Sequence, residues 1–176
     1  MKFTKPSIFA ANHETYHDPP ILFAYLALVH KIRLGFVVKQ RVLDVSPIWR
    51  LCIQRVPHAV VRENNPGGVL EEAANLLRRG FSVIIFPEGT TLGKTEGRLL
   101  QGRTGAIRLA RMVEGTPIIP VGLLYVGRRR PLKFIRKIVL GDPFYARSFE
   151  DYHALRLQTD ELMRIIARLS RREYLA

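Results

Sequence analysis

A chain of 176 residues that is 47% hydrophobic and 24% charged carries enough apolar surface for one packed core, which excludes an intrinsically disordered protein. Its 28 lysines and arginines against 15 acidic residues leave a net charge of +13, unevenly split as +4 over residues 1–88 and +9 over 89–176. That excess points to an anionic partner: nucleic acid, an anionic bilayer surface or a phosphorylated substrate. The single cysteine, Cys52 between Leu51 and Ile53, excludes an internal disulfide and reads as a core filler. No apolar run approaches the ~18–20 residues of a membrane span; the longest is Ile21–Val29. The basic start Met1–Lys5 meets Pro6 and a strand-like run, so no signal peptide is expected.

In chain order, Ser7–Asn12 reads as a strand. Pro19–Val29 is apolar nearly all round and reads as a buried helix, opened by Asp18-Pro19. Arg33–Lys39 is a second strand. Ser46-Pro47 caps a short helix through Cys52, and Ala59–Arg62 is a third strand. Asn64-Asn65-Pro66 opens a helix from about Gly67 to Arg79, stopped by Gly80, with Leu70, Ala73, Ala74 and Leu77 on its apolar face. Phe81–Phe86 is a nearly continuous apolar run, as expected of a strand buried on both faces. Thr104–Val113 reads as helix, Pro117–Gly122 and Leu123–Val126 as strands, Gly127–Arg130 as a basic turn and Phe134–Leu140 as a last strand. A long amphipathic helix follows from Ser148 or Phe149 to about Arg172, with Leu155, Leu162, Ile165, Ile166 and Leu169 inward. The alternation of strand and helix predicts a single α/β domain over residues 1–176, with a mostly parallel central sheet flanked by helices.

Two stretches carry chemistry. Asn12-His13-Glu14-Thr15-Tyr16-His17-Asp18 follows the first strand. Imidazole titrates near neutral pH and can take a proton from a hydroxyl. A carboxylate on its other nitrogen fixes the tautomer and stabilises the imidazolium. For His13 and Asp18 to meet, the chain must turn tightly between them or start a helix near Asp18. The same residues read as HExxH, a zinc-protease pattern that needs His13 and His17 on one helical face. Asp18-Pro19-Pro20 opposes that helix, and the next histidine and glutamate, His30 and Glu63, are distant.

The second stretch, Phe86-Pro87-Glu88-Gly89-Thr90, places a carboxylate, a glycine and a hydroxyl at the carboxyl end of a buried strand, where α/β sheets bind ligands. Gly93-Lys94-Thr95 brushes a phosphate-binding loop, but Glu88 stands where that loop needs glycine, and no helix opens after it. No Gly-x-Ser-x-Gly elbow is present, which disfavours a serine hydrolase of that type.

Taken together, Asn12-His13, Asp18 and, about seventy residues on, Phe86-Pro87-Glu88-Gly89-Thr90 resemble the glycerolipid acyltransferases of the 1-acylglycerol-3-phosphate acyltransferase type. Phe36–Lys39, Val60-Val61-Arg62, Arg103-Thr104-Gly105-Ala106, Thr116–Val121 and Leu140-Gly141-Asp142-Pro143 are similar to further landmarks of that family, so the resemblance covers about residues 7–145. It implies an acyltransferase-like fold and transfer of a fatty acyl group from a thioester, acyl-CoA or acyl carrier protein, to the hydroxyl of a lysophospholipid, most simply 1-acylglycerol-3-phosphate. His13 would be the general base and Asp18 its orienter. Asn12, Lys39, Arg62, Glu88, Gly89 and Thr90 would belong to the acceptor site; a guanidinium such as that of Arg62 binds two phosphate oxygens at once. The chemistry needs no acyl-enzyme, no metal and no cofactor.

Two departures bear on the acceptor. Thr91 stands where the family often has arginine, so phosphate recognition falls to Arg62, Lys39, Lys94 or Arg98, or the acceptor is not lysophosphatidate. The family usually carries a membrane-associating helical segment before the histidine motif; only eleven residues precede Asn12, which reads as a compact member or a fragment. Membrane contact would then rest on basic surface such as Arg128–Arg130, Lys133, Arg136 and Lys137, and the protein would be cytoplasmic and peripheral to the membrane. The alternatives are a basic membrane- or nucleic-acid-binding module without catalysis, and then a zinc peptidase. No nucleic-acid recognition motif is present, and no aromatics interleave with the basic run to stack bases.

Overall fold

The computed structural model describes residues 3–15, 17–39, 58–61, 68–90, 97–126 and 134–174. The expected helix at Ser46–Cys52, Arg62, Thr91, Lys94 and the basic residues 128–130 and 133 lie outside the described residues. The strands are β1 (Ile8–Ala11), β2 (Leu34–Lys39), β3 (His58–Val61), β4 (Ser82–Ile85), β5 (Ile118–Val126) and β6 (Phe134–Leu140). The helices are α1 (Asp18–Val29), α2 (Gly68–Arg78), α3 (Gly105–Met112) and α4 (Tyr152–Ser170). The strands form one sheet in the order β3-β2-β4-β1-β5-β6; every neighbouring pair is parallel except β5 with β6. The expectation of a mostly parallel α/β sheet flanked by helices is borne out.

β1 lies at the centre, and its four residues alternate between two apolar cores as the two-residue period of a strand requires. Ile8 and Ala10 face α2, α3 and α4, beside Leu77, Ile107 and Ile166. Phe9 and Ala11 face α1, beside Leu22 and Leu26. All four are fully buried, which is why this segment and β4 read as unbroken apolar runs.

Three elements differ from expectation. α1 is not buried all round: Leu22 and Leu26 pack inward, whereas Leu28 is 77% and Val29 62% exposed. A single helix packed on one face of a sheet buries only one stripe, and here the outward stripe is apolar as well. β5 runs unbroken from Ile118 to Val126, where two strands meeting at Gly122-Leu123 were expected. Ile118 exchanges backbone bonds with Phe144, and Pro120 only accepts, from the Gly141 N–H at 2.8 Å, so its missing donor is not called on. α4 starts at Tyr152 because the Asp151 carboxylate caps it, accepting from the Ala154 N–H at 2.7 Å. The helix then lies so close to β5 that a Cβ on Gly122 would sit 2.4 Å from the Leu169 carbonyl carbon.

Candidate active site

Register brings the two chemical stretches together. Ala10 pairs with Ile85 in the parallel β1–β4 ladder. His13 and Glu88 each lie three residues further on, so both emerge side by side at the carboxyl edge of the sheet. The His13 backbone N–H donates to Glu88 Oε1 at 3.0 Å, and the Leu100 N–H donates to Glu88 Oε2 at 2.8 Å. On the other side of β1, the Asn12 amide donates to the Leu123 carbonyl at 3.1 Å and accepts from the Leu123 N–H at 2.7 Å. The side chain of Asn12, fully buried, extends the β1–β5 ladder by one rung. His13 is thus clamped between strands on both sides.

Asp18 is the first residue of α1 and is fully buried. The chain between Asn12 and Asp18 turns tightly enough to bring the carboxylate back onto the loop. Oδ2 lies 2.9 Å from His13 Nδ1 and accepts the N–H groups of Glu14 at 2.6 Å and Thr15 at 2.8 Å. Oδ1 accepts the Thr15 hydroxyl at 2.7 Å. Burial alone would raise the pKa of this carboxyl, but the His13, Thr15 and Glu14 bonds outweigh it and hold the group below the usual carboxylate range. Asp18 is therefore ionised near neutral pH. It selects the tautomer with the proton on Nδ1, leaving Nε2 as an acceptor. The imidazole also lies against the Phe86 ring, centroids 4.4 Å apart, and remains partly accessible.

HExxH geometry is not formed. The helix begins at Asp18, so His13 and His17 share no helical face. Glu14, the base in that reading, is buried and paired with Arg172. Among the described residues no cluster of histidine, cysteine, aspartate or glutamate is arranged to hold a metal ion.

The remaining expected residues are placed as follows. Gly89 turns at φ +67°, and a Cβ on it would lie 2.9 Å from Arg103 Nε. The backbone there is both left-handed and closely approached, which is why only glycine fits. Thr90 follows, partly exposed. Lys39 is the last residue of β2, at the same sheet edge, opposite Val61 of β3. Arg98 lies on the segment after the loop and pairs with Glu173 at 3.1 Å.

Several participants were missed by sequence reasoning. Arg103 donates its backbone N–H to the Pro87 carbonyl at 2.8 Å and lays its guanidinium over Gly89. Tyr125 buries its hydroxyl beside Asp18 and Glu14; burial first, then the Asp18 charge, push its pKa up, so it stays neutral. Arg172 reaches Glu14 from the far end of the chain. Only Arg103 carried a local signal, the basic residue of the Arg-Thr-Gly-Ala helix start.

The Acyltransferase family model matches residues 2–124, a stretch that contains His13, Asp18, Glu88, Gly89 and Arg103. The chain belongs to this family. It is 27% identical over 128 residues to a chloroplastic 1-acyl-sn-glycerol-3-phosphate acyltransferase of Brassica napus, covering 72% of this chain and 35% of that protein. A second chloroplastic 1-acyl-sn-glycerol-3-phosphate acyltransferase, from Arabidopsis thaliana, is also 27% identical over 128 residues, 72% of this chain and 34% of its own length. A lyso-ornithine lipid O-acyltransferase of Pseudomonas aeruginosa is 28% identical over 123 residues, 69% of this chain and 44% of its own. The chain thus matches between about a third and under half of the length of these relatives. The match to the family ends before β6 and α4.

Proposed function

We propose that the protein moves a fatty acyl group from a thioester donor, acyl-CoA or acyl carrier protein, to the hydroxyl of a lysophospholipid, with 1-acylglycerol-3-phosphate as the acceptor. The observation that carries this reading is the His13–Asp18 pair. An ionised, fully buried carboxylate 2.9 Å from Nδ1 leaves Nε2 as the base. Nε2 takes the acceptor's hydroxyl proton as its oxygen attacks the thioester carbonyl. The imidazolium formed is stabilised by Asp18. Collapse of the tetrahedral adduct breaks the carbon–sulfur bond, and the departing sulfur takes the proton from His13, giving an ester and a free thiol. No covalent enzyme intermediate and no cofactor enter the balance.

Asn12 and Glu88 serve by holding the histidine loop, since both side chains are buried and engaged with backbone groups. Phosphate recognition falls to Arg103, whose guanidinium lies over Gly89, with Lys39 and Arg62 as further cations. We place the protein in the cytoplasm, peripheral to an anionic membrane. The outward apolar stripe of α1 (Ile21, Leu28 and Val29) and the exposed Phe134, Arg136 and Lys137 of β6 suit that contact. Among the described residues no helix is long and apolar enough to cross a membrane.

The test is release of free thiol from long-chain acyl-CoA and acyl carrier protein, with lysophosphatidate, lyso-ornithine lipid or no acceptor. Acceptor-dependent release with lysophosphatidate supports the reading. Release without acceptor assigns a thioesterase, and no turnover with any pairing refutes it.

A further inference from the structure

We propose that Arg172 is a positioning residue for the His13–Asp18 pair, acting through Glu14. The inference deepens the acyl-transfer reading and rests on it for its kinetic readout.

α4 ends at Ser170, and Arg171 turns left-handed at φ 55°, ψ 46°. An L residue adopts that conformation only at a cost, so it persists where the surroundings impose it. The turn re-aims the chain, fixed by the Arg172 N–H to the Ala167 carbonyl at 2.8 Å. Arg172 Nη2 then lies 2.8 Å from Glu14 Oε1, with the two side chains only 16% and 8% exposed. Glu14 follows the base directly, and its own N–H donates to Asp18 Oδ2 at 2.6 Å. Holding the Glu14 side chain from outside therefore fixes the peptide that joins His13 to its orienter.

The next residue reaches the other flank of the base. Glu173 accepts from the Leu99 N–H at 2.9 Å and donates to the Gly97 carbonyl at 2.8 Å, forming a short parallel bridge with Arg98. Leu100, one residue on, donates to Glu88 Oε2, and Glu88 Oε1 holds the His13 N–H. Two consecutive residues of the tail thus brace His13 through Glu14 and through Glu88. The tail is itself anchored: the Tyr174 hydroxyl donates to Asp160, which also pairs with Arg156, and Arg156 Nη1 donates to the Gly102 carbonyl at 2.6 Å. The tail residues that supply this bracing, Arg172 to Tyr174, lie outside the residues the family model covers. Removing Arg172 would leave the buried carboxylate of Glu14, the residue that follows the base, without that partner.

The experiment compares wild type, Arg172→Ala, Arg172→Lys, Glu14→Gln and the double variant Glu14→Gln/Arg172→Ala. Each is followed by thiol release, thermal melting and the downfield imidazole N–H proton resonance, assigned to His13 by its loss in His13→Gln. Arg172→Ala is expected to fold cooperatively, lose about ten- to a hundredfold in kcat with KM within about twofold, and broaden or shift the His13 resonance. Arg172→Lys should restore most of both, and the double variant should be no worse than Arg172→Ala alone. An Arg172→Ala protein with kcat within about threefold of wild type and an unchanged resonance overturns the inference. If wild type shows no acceptor-dependent turnover, the acyl-transfer reading fails, and the resonance alone decides the positioning role.

Discussion

Asp18→Asn separates chemistry from folding. The carboxylate accepts four bonds: His13 Nδ1–H and the Glu14 and Thr15 N–H groups on Oδ2, and the Thr15 hydroxyl on Oδ1. An asparagine of the same shape would place its amide oxygen at the three-donor side and its NH2 toward Thr15, whose hydroxyl can rotate to accept. The Thr15 hydroxyl proton loses its acceptor, whereas the other three bonds lose only the difference between charge-assisted and neutral bonds, about 0.5–1 kcal/mol each. The smaller desolvation cost of a neutral amide offsets part of this, leaving about 1–3 kcal/mol. Catalysis loses more, because the imidazolium no longer faces a negative charge: about 10³–10⁴-fold in kcat, or about 4–5.5 kcal/mol. Because its hydrogen bonds outweigh burial and hold the Asp18 carboxyl low, its stabilising contribution is complete above the unfolded value of about 3.9 and fades as pH falls through the folded one. The asparagine variant should lack that part of the acid-side loss. Thiol release and urea unfolding at pH 7 and between pH 5 and 2 measure both effects. A kcat within about tenfold of wild type would refute the assignment of Asp18 as the group that stabilises the imidazolium.

Asn12→Leu keeps the volume but strands the buried Leu123 N–H and carbonyl, and should cost about 2–4 kcal/mol in urea unfolding; a loss below about 1 kcal/mol would mean that the rung is dispensable. Gly89→Ala combines a left-handed backbone with a Cβ 2.9 Å from Arg103 Nε. It should cost about 1–2 kcal/mol, and it should raise KM for a phosphate-bearing acceptor more than for a phosphate-free one. Gly122→Ala sets a Cβ against the backbone of Leu169, which cannot rotate away, so α4 must lift from β5 at a cost of about 1–3 kcal/mol, visible as a lowered melting temperature.

Where the signal was local, the sequence was legible. The apolar runs of β1 and β4 marked central strands because both faces are buried, and Gly80 marked the end of α2. The pairing of His13 with Asp18 followed from residue chemistry once the family resemblance placed them, and the structure supplies the tight turn it required. What stayed hidden depends on partners distant in sequence. Asn12 and Glu88 were expected at the acceptor site; their buried side chains bond backbone groups of β5, of the histidine loop and of the segment before α3, partners that only the fold brings near. Arg172 meets Glu14 only because α4 returns over β5 and Arg171 re-aims the chain, a consequence of topology that no local pattern encodes. The strand division expected between Gly122 and Leu123 is absent, because Gly122 makes room for Leu169 of α4 rather than ending the strand.

The central claim is that His13 is the base for acyl transfer to a lysolipid hydroxyl. Its most direct measurement is acceptor-dependent thiol release from long-chain acyl-thioester in wild type and His13→Ala at matched folded concentration. A loss of about 10³-fold or more in kcat, with cooperative unfolding retained, is the predicted result. Equal turnover in the two proteins would contradict it and move the chemistry away from the histidine loop.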